Sequence, residues 1–252
     1  MKTIVFDLNG TLTESKSDID PEMLSLLVKL LSKQKVCILS GASWKQIEKQ
    51  IISYLPTKDI NILNNLYVLP TAGASLFQYW NKYGWVAIYQ NKLDKHESDK
   101  ISKVLEKYLK QNSLSDRLWG KQVENRESQV TLSCLGQKAP LDDKENWDPD
   151  FSKRKAIVSE LVKELPNFDL RIAGYNSIDI TPKGINKHSG LHQLMKHLHI
   201  SKDEVVFVGD AIFEGGVDYP VVDIGIEFVK VTSIDETKKF LTQLLVVADK
   251  AA

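Results

Sequence analysis

The 252-residue sequence predicts an α/β fold: a parallel sheet with helical crossovers, interrupted by an α+β module and then resumed. Three observations predict it. Short continuous apolar runs, Ile4-Val5-Phe6, Val36–Leu39 and Val205–Val208, have the composition of strands buried on both faces. Each run stops at a polar residue beside a glycine: Asp7 before Asn9-Gly10, Ser40-Gly41, and Gly209-Asp210. Helical apolar spacing follows the first two runs, whereas the middle of the chain shows alternating, antiparallel-type patterns.

Taken in order, Thr3–Asp7 reads as the first strand. Asp20-Pro21-Glu22 starts a helix, with Asp as N-cap and Pro at the first helical position, and Met23, Leu24, Leu27, Leu30 and Leu31 recur behind it. Val36–Leu39 is the second strand, and the helix after Ser40-Gly41-Ala42-Ser43 carries Trp44, Ile47 and Ile51. The character changes after Tyr79. Trp85–Tyr89 reads as an antiparallel strand, and Ile101, Val104, Leu105 and Tyr108 as one face of a helix. Gln129–Leu135 alternates, Phe151–Leu165 is helical up to Pro166, and Ser177–Ile180 is another strand. Parallel character returns near Ile185, with a helix over His188–His199, the Val205–Val208 strand and a last helix over about Asp235–Val246. The expected division is a core of residues 1–80 and 183–252 with an inserted module of 81–182.

Composition narrows the function. Hydrophobic residues make up 42% and charged residues 26%, ordinary for a globular chain that buries a core. Lys+Arg and Asp+Glu are both 33, so no global field draws the chain to nucleic acid or an anionic membrane, and a small molecule is the expected partner. Cys37 and Cys134 lie in apolar runs, as buried reduced thiols do. No apolar stretch reaches the roughly 18 residues of a membrane span, and no signal-peptide pattern is apparent, so a cytoplasmic location is expected.

If the three buried strands are neighbours, Asp7, Ser40 and Asp210 meet at the carboxyl edge of the sheet, where open α/β folds bind ligands. Lys187 begins the helix after the inserted module. Alone, each has a plainer reading: Asp7 as a turn former, Ser40 as a helix cap, Lys187 as a solvated lysine, 209–218 as a glycine-rich loop. Together they form a chemical set. Asp7, Asp210 and Asp218 would repel one another and so imply a hard cation, Mg2+, while a hydroxyl and a lysine suit a phosphoryl group.

With that combination the chain resembles the haloacid dehalogenase (HAD) superfamily, subfamily IIB with its type-2 α+β cap. Asp7-Leu8-Asn9-Gly10-Thr11 matches motif one, Leu39-Ser40-Gly41 motif two, the segment from Thr181 to Lys187 motif three, and Gly209–Asp218 motif four. Within the subfamily it is most similar to eukaryotic-type phosphomannomutases and their bacterial relatives. The resemblance implies a Rossmann-like core with an inserted cap. It implies an aspartyl-phosphate formed on Asp7, with phosphoryl oxygens held by Ser40 and Lys187. It places Mg2+ on Asp7, the backbone carbonyl of Asn9, Asp210 and Asp218. It assigns sugar-phosphate contacts to Lys16, Gly41, Arg126, Lys144, Ser177 and Asp179, and it suggests a homodimer through the cap.

Five positions depart from the family. Asn9 stands where the acid/base aspartate belongs, as an engineered substitution or a natural loss; Val217 replaces the asparagine of motif four. Lys16 and Lys144 replace arginines of the mutases, and Gln137 replaces another. The resulting expectation is a Mg2+-dependent phosphohydrolase of a sugar phosphate, impaired at Asn9. The alternatives are a phosphomannomutase and a phosphosugar-binding protein without turnover.

Overall fold

Because side chains alternate across a strand, a continuous apolar run can be buried only if both faces of its sheet are covered. The computed structural model, which describes residues 2–15, 17–56, 59–212 and 217–250, has that arrangement. In chain order the elements are β1 (Thr3–Phe6), α1 (Pro21–Leu31), β2 (Val36–Leu39), α2 (Trp44–Gln50), α3 (Ile60–Asn64), β3 (Leu66–Leu69), β4 (Ser75–Trp80) and β5 (Gly84–Gln90). There follow α4 (Lys95–Gln111), β6 (Val123–Asn125), β7 (Val130–Ser133), α5 (Leu141–Trp147), α6 (Ser152–Glu164), β8 (Phe168–Ala173) and β9 (Ser177–Pro182). The chain ends with α7 (Lys187–Leu198), β10 (Val205–Gly209), β11 (Glu227–Lys230) and α8 (Ile234–Lys250). They form two compact units: one takes the chain up to Gln90 and again from Asn186, the other takes Asn91–Ile185 together with Val217.

The first unit is built on a seven-stranded sheet ordered β11-β10-β1-β2-β3-β4-β5. Strands β11 to β3 run parallel, and β4 and β5 are antiparallel at one edge. Ile4, Phe6, Val36, Ile38, Leu66 and Val68 point to one face, packing with Met23, Leu27 and Leu30 of α1 and with Leu241 and Leu245 of α8. Val5, Cys37, Leu39, Tyr67 and Leu69 point to the other, against Leu191, Leu194 and Met195 of α7. The Asp20 cap of α1 forms as its sequence predicts, its carboxylate accepting from the Glu22 and Met23 amides at 3.0 Å. Both cysteines are buried free thiols, and burial pushes each above its ordinary range.

One expectation is corrected. Trp85–Tyr89 is assigned by sequence to the inserted module; it is antiparallel, but it pairs with β4 and extends the large sheet to Gln90. Alternation shows that a strand is half-covered without showing which sheet it joins. The choice is made by Trp85, whose ring packs edge-on against Trp44 and Tyr79.

The second unit is a four-stranded antiparallel sheet ordered β6-β7-β9-β8. Val130, Leu132, Ile178 and Ile180 pack with Ile101 and Leu105 of α4 and Ile157 and Leu161 of α6. A buried ion pair fastens α6 to the end of β8: Arg154 donates to Asp148 at 2.7 Å and to the Gly174 carbonyl at 2.7 Å. Among the described residues, no helix is long and apolar enough to cross a membrane.

Helix α7 is drawn unusually close to the turn after β3. A Cβ on Gly190 would stand 2.8 Å from the Gly73 Cα, closer than side-chain carbons ever approach backbone. Alanine normally improves a helix interior by about 1 kcal/mol over glycine. Here overpacking, at about 1–3 kcal/mol, should prevail. Gly190→Ala is therefore expected to lower stability in urea denaturation by about 1–2 kcal/mol; a gain in stability would show that this approach does not constrain α7.

Candidate active site

Register brings the polar strand ends together. Phe6 is level with Val208 on one side and Ile38 on the other, so Asp7, Ser40 and Asp210 emerge at the same carboxyl edge. The Asp7 amide donates to the Val208 carbonyl at 2.9 Å, and the Ser40 amide to that of Leu69 at 3.0 Å. Just beyond, the chain turns sharply: Leu12 and Thr13 amides return to the Leu8 carbonyl, and Gly10 takes a φ of +87°. Glycine is needed there twice over, because a Cβ would also lie 2.7 Å from Asp210 Oδ2. Gly209 serves similarly, since its Cβ would meet Asp218 Oδ2 at 2.6 Å. Both glycines make room for carboxylates.

Lys187 is the centre of this group. Only 2% exposed, its ammonium donates to Asp7 Oδ1 and to Asp218 Oδ1, each at 2.5 Å. Asn186 caps α7, its side chain accepting from the Ser189 amide, and so sets where Lys187 enters. Asp218 Oδ2 accepts from the Ala211 amide, and Asp210 accepts from the Thr11 hydroxyl at 3.3 Å. Ser40 Oγ accepts from the Ala42 amide at 3.2 Å, so its own O–H remains to donate to a ligand.

The charges are unbalanced in a telling way. Carboxylate oxygens of Asp7, Asp210 and Asp218 lie within 4.8 Å of one another. Three carboxylates and one ammonium leave a formal −2, which a divalent cation would neutralise, and all-oxygen donors suit Mg2+. Burial pushes Asp7 up to about 6, with Lys187 opposing and Asp218 adding to the shift. Burial pushes Asp210 up to about 7, reinforced by Asp7 and Asp218. Burial also disfavours the Lys187 ammonium, but Asp218 and Asp7 outweigh it and raise that group. The residues therefore fit a hard divalent cation.

The other predicted positions divide into two sets. Asn9 lies in the turn after β1, where its Oδ1 accepts from Gln50. Lys16, like residues 213–216 of the fourth motif, lies outside the described residues. In the second unit, Thr131 donates to Asp179 at 2.7 Å and Ser133 meets Ser177 at 3.5 Å, gathering the polar face of β7 and β9. Burial raises the Asp179 carboxyl, while Arg126 and the Thr131 hydroxyl pull it back. Arg126 is mostly buried and pairs with Glu124 at 2.7 Å. Lys144 stands apart on α5, its ammonium pulled down by burial, with no hydrogen bond to that group among the described residues. Sequence reading does not find Glu124, Thr131 or Gln50 as parts of these networks. For Gln50 a signal exists: it is a polar residue at the apolar spacing set by Ile47 on a buried helix face.

Asp7 and Asp210 hold their protons more tightly folded than unfolded, where the ordinary value is 3.8. The folded state then binds more protons between about pH 4 and 7, so the metal-free protein should lose stability as pH rises through that window. Mg2+ should restore it at pH 7.5 and do little at pH 5, where protons compete. Thermal unfolding across pH with and without Mg2+ measures this; a Mg2+ effect of equal size at both pH values would contradict the assignment.

Comparison with known proteins agrees with this geometry. Residues 4–212 match the family described as haloacid dehalogenase-like hydrolase. Phosphomannomutase of Saccharomyces cerevisiae is 28% identical over 251 residues, covering 96% of this chain and 93% of that protein. Human phosphomannomutase 1 is 26% identical, covering 86% and 81%. Among solved structures, an IMP-nucleotidase of Plasmodium falciparum shares the fold with a TM-score of 0.70 at 22% identity, covering 98% of this chain and 68% of that one. A trehalose-6-phosphate phosphatase related protein shares it with a TM-score of 0.57 at 16% identity, covering 99% and 100%. The chain belongs to the haloacid dehalogenase-like hydrolase family and is similar along most of its length to phosphomannomutases.

Proposed function

We propose that this chain is a sugar-phosphate phosphohydrolase scaffold working through an aspartyl-phosphate on Asp7, with its turnover limited by Asn9. The observation that carries the reading is the buried Asp7 carboxylate at the strand end, with Oδ1 held by Lys187 and two further carboxylates alongside. Oδ2 of Asp7 is then the atom that attacks phosphorus. The Asp7–phosphoryl bond forms, the ester P–O bond breaks, and the leaving sugar oxygen takes up a proton. In the second half, water attacks phosphorus, the Asp7–phosphoryl bond breaks and the water proton must be removed. Lys187 and the Ser40 hydroxyl stabilise the phosphoryl oxygens as charge develops on them. A Mg2+ held by Asp7, Asp210 and Asp218 would add neutralisation of the phosphate charge.

Both proton transfers fall to position 9 in this reading. Asn9 keeps the shape and one acceptor oxygen of an aspartate but exchanges no proton at neutral pH. In the second unit, Arg126, Ser177 and Asp179 hold the sugar phosphate, with Glu124 as the partner that an anionic ligand displaces from Arg126.

A second reading, a phosphomannomutase, is favoured by the 28% identity over nearly the whole chain. Gln137 and Lys144, where the resemblance expects arginines, weigh against it, since gripping a bisphosphate in two orientations benefits from the bidentate guanidinium.

The test is phosphate release from a panel of sugar phosphates with Mg2+. Asn9→Asp is expected to raise the rate by about 10²–10⁴, and Lys187→Met in that background to abolish the gain. A requirement for a sugar bisphosphate activator would select the mutase. No turnover by Asn9→Asp under either condition, with sugar phosphate still bound, would mean a binding protein.

A further inference from the structure

The turn between β3 and β4 runs through Thr71 at a φ of +49°, Ala72 at +56° and Gly73 at +86°. Glycine takes that left-handed region freely, alanine only against its Cβ, and a β-branched threonine least readily of the three. Such strain persists only where neighbouring structure holds it. Here the holding contacts are hydrogen bonds. In an extended chain the amides of adjacent residues point to opposite sides. The left-handed bend at Thr71 instead turns its own amide and that of Ala72 to one side, as in a backbone nest. Both face the segment after β2: the Thr71 amide donates to the Ala42 carbonyl at 2.9 Å and the Ala72 amide to the Ser40 carbonyl at 2.8 Å. The Ala42 amide in turn donates to Ser40 Oγ at 3.2 Å. The turn thus holds both ends of the Ser40–Ala42 segment, and that segment's own amide holds the Ser40 oxygen. On the other flank the Tyr89 hydroxyl of β5 donates to the Gly73 carbonyl at 2.8 Å, and Gly73 lies against Gly190 of α7.

We propose that the strained turn of Thr71, Ala72 and Gly73 is a positioning element that sets the rotamer of Ser40. The proposal deepens the phosphohydrolase reading and rests on it for what the Ser40 hydroxyl holds, a phosphoryl oxygen. A serine hydroxyl otherwise divides its time among staggered χ1 wells. With its oxygen on the Ala42 amide, Ser40 keeps one well, and binding a ligand no longer has to order it. The left-handed backbone is what makes this possible. If Thr71 and Ala72 relaxed to negative φ, their amides would swing apart and release the Ala42 and Ser40 carbonyls together. The plainer role, a connection between β3 and β4, predicts lost stability and no effect that depends on the Ser40 hydroxyl.

The experiment places Ala72→Val, Ala72→Gly and Tyr89→Phe in this chain and in its Ser40→Ala variant. Valine disfavours the left-handed region, glycine accepts it, and Tyr89→Phe removes a tie without changing the turn itself. Two quantities are followed: the χ1 rotamer of Ser40 from Hα–Hβ NMR couplings in serine-labelled protein, and calorimetric affinity for inorganic phosphate with Mg2+. One Ser40 rotamer is expected in the parent and in Ala72→Gly, and an average of several in Ala72→Val. Phosphate affinity should fall about tenfold in Ala72→Val, the size of a lost hydrogen bond to a charged group. It should change by less than about twofold in Ala72→Gly, and the valine loss should shrink to less than about twofold once Ser40 is alanine. Tyr89→Phe should lower affinity about threefold with the same dependence on Ser40, and it decides the matter if the valine variant does not fold. An unchanged Ser40 rotamer in Ala72→Val and Tyr89→Phe overturns the proposal, whatever happens to their melting temperatures. So does a phosphate loss of equal size in both backgrounds when Ser40→Ala by itself weakens phosphate binding. A rotamer that becomes averaged, in a protein whose phosphate binding is indifferent to Ser40→Ala, leaves the positioning role standing and removes the phosphoryl contact of Ser40 from the phosphohydrolase reading instead.

Discussion

A buried ammonium shared by two carboxylates, Lys187 with Asp7 and Asp218, governs much of the first unit. Taking an ion out of water costs several kcal/mol, and an unpaired buried carboxylate is rarely tolerated in its charged form. Lys187 offsets that cost for two of the three acids, leaving Asp210 with a hydroxyl hydrogen bond and the largest upward shift. The partners lie 180 residues apart, residue 7 and residue 187, so the cluster closes only when the segment following the inserted unit has docked onto the first strands. The parallel neighbours β10, β1 and β2 supply the common edge, and Gly10 and Gly209 the space. Any other side chain at those glycines would occupy carboxylate positions.

The second unit handles polarity differently. Its sheet presents a hydrophobic face to α4 and α6 and a hydrogen-bonded polar face through Thr131, Asp179, Ser133 and Ser177. Arg126 is paired with Glu124 rather than left as an isolated cation, which lets a mostly buried guanidinium exist without a ligand. The cost of opening that pair lowers the net gain from any anion that takes its place, and it favours ligands offering two oxygens to the guanidinium fork.

Asn9 is tied to this scaffold through its side-chain oxygen, which accepts from Gln50. The Gln50 contact asks position 9 for an acceptor oxygen, which asparagine and aspartate both provide. The proposed chemistry asks for an acid. That contact therefore survives the exchange of one for the other, and in the proposed reaction the penalty falls on turnover.

Much of this was legible from residue order. The buried strands, the Asp20-Pro21 helix start, the motif at Asp7 and the sheet-edge acids follow from local pattern, because apolar runs, caps and glycine turns depend on near neighbours in sequence. The family resemblance rests on the same short segments. Other features were settled only by tertiary contact. Trp85–Tyr89 joined the large sheet because of where its tryptophan packs, not because of its own alternation. Gln50 acquired its partners because α2 lies against the turn after β1, a juxtaposition that no spacing within the helix encodes. By itself, then, the sequence determined which residue types could do phosphoryl chemistry and at which strand ends they stand. The tertiary structure alone decided which of them touch, how a charge of −2 collects around one lysine, and which atom of residue 9 is held, because these depend on distances between segments that are far apart along the chain.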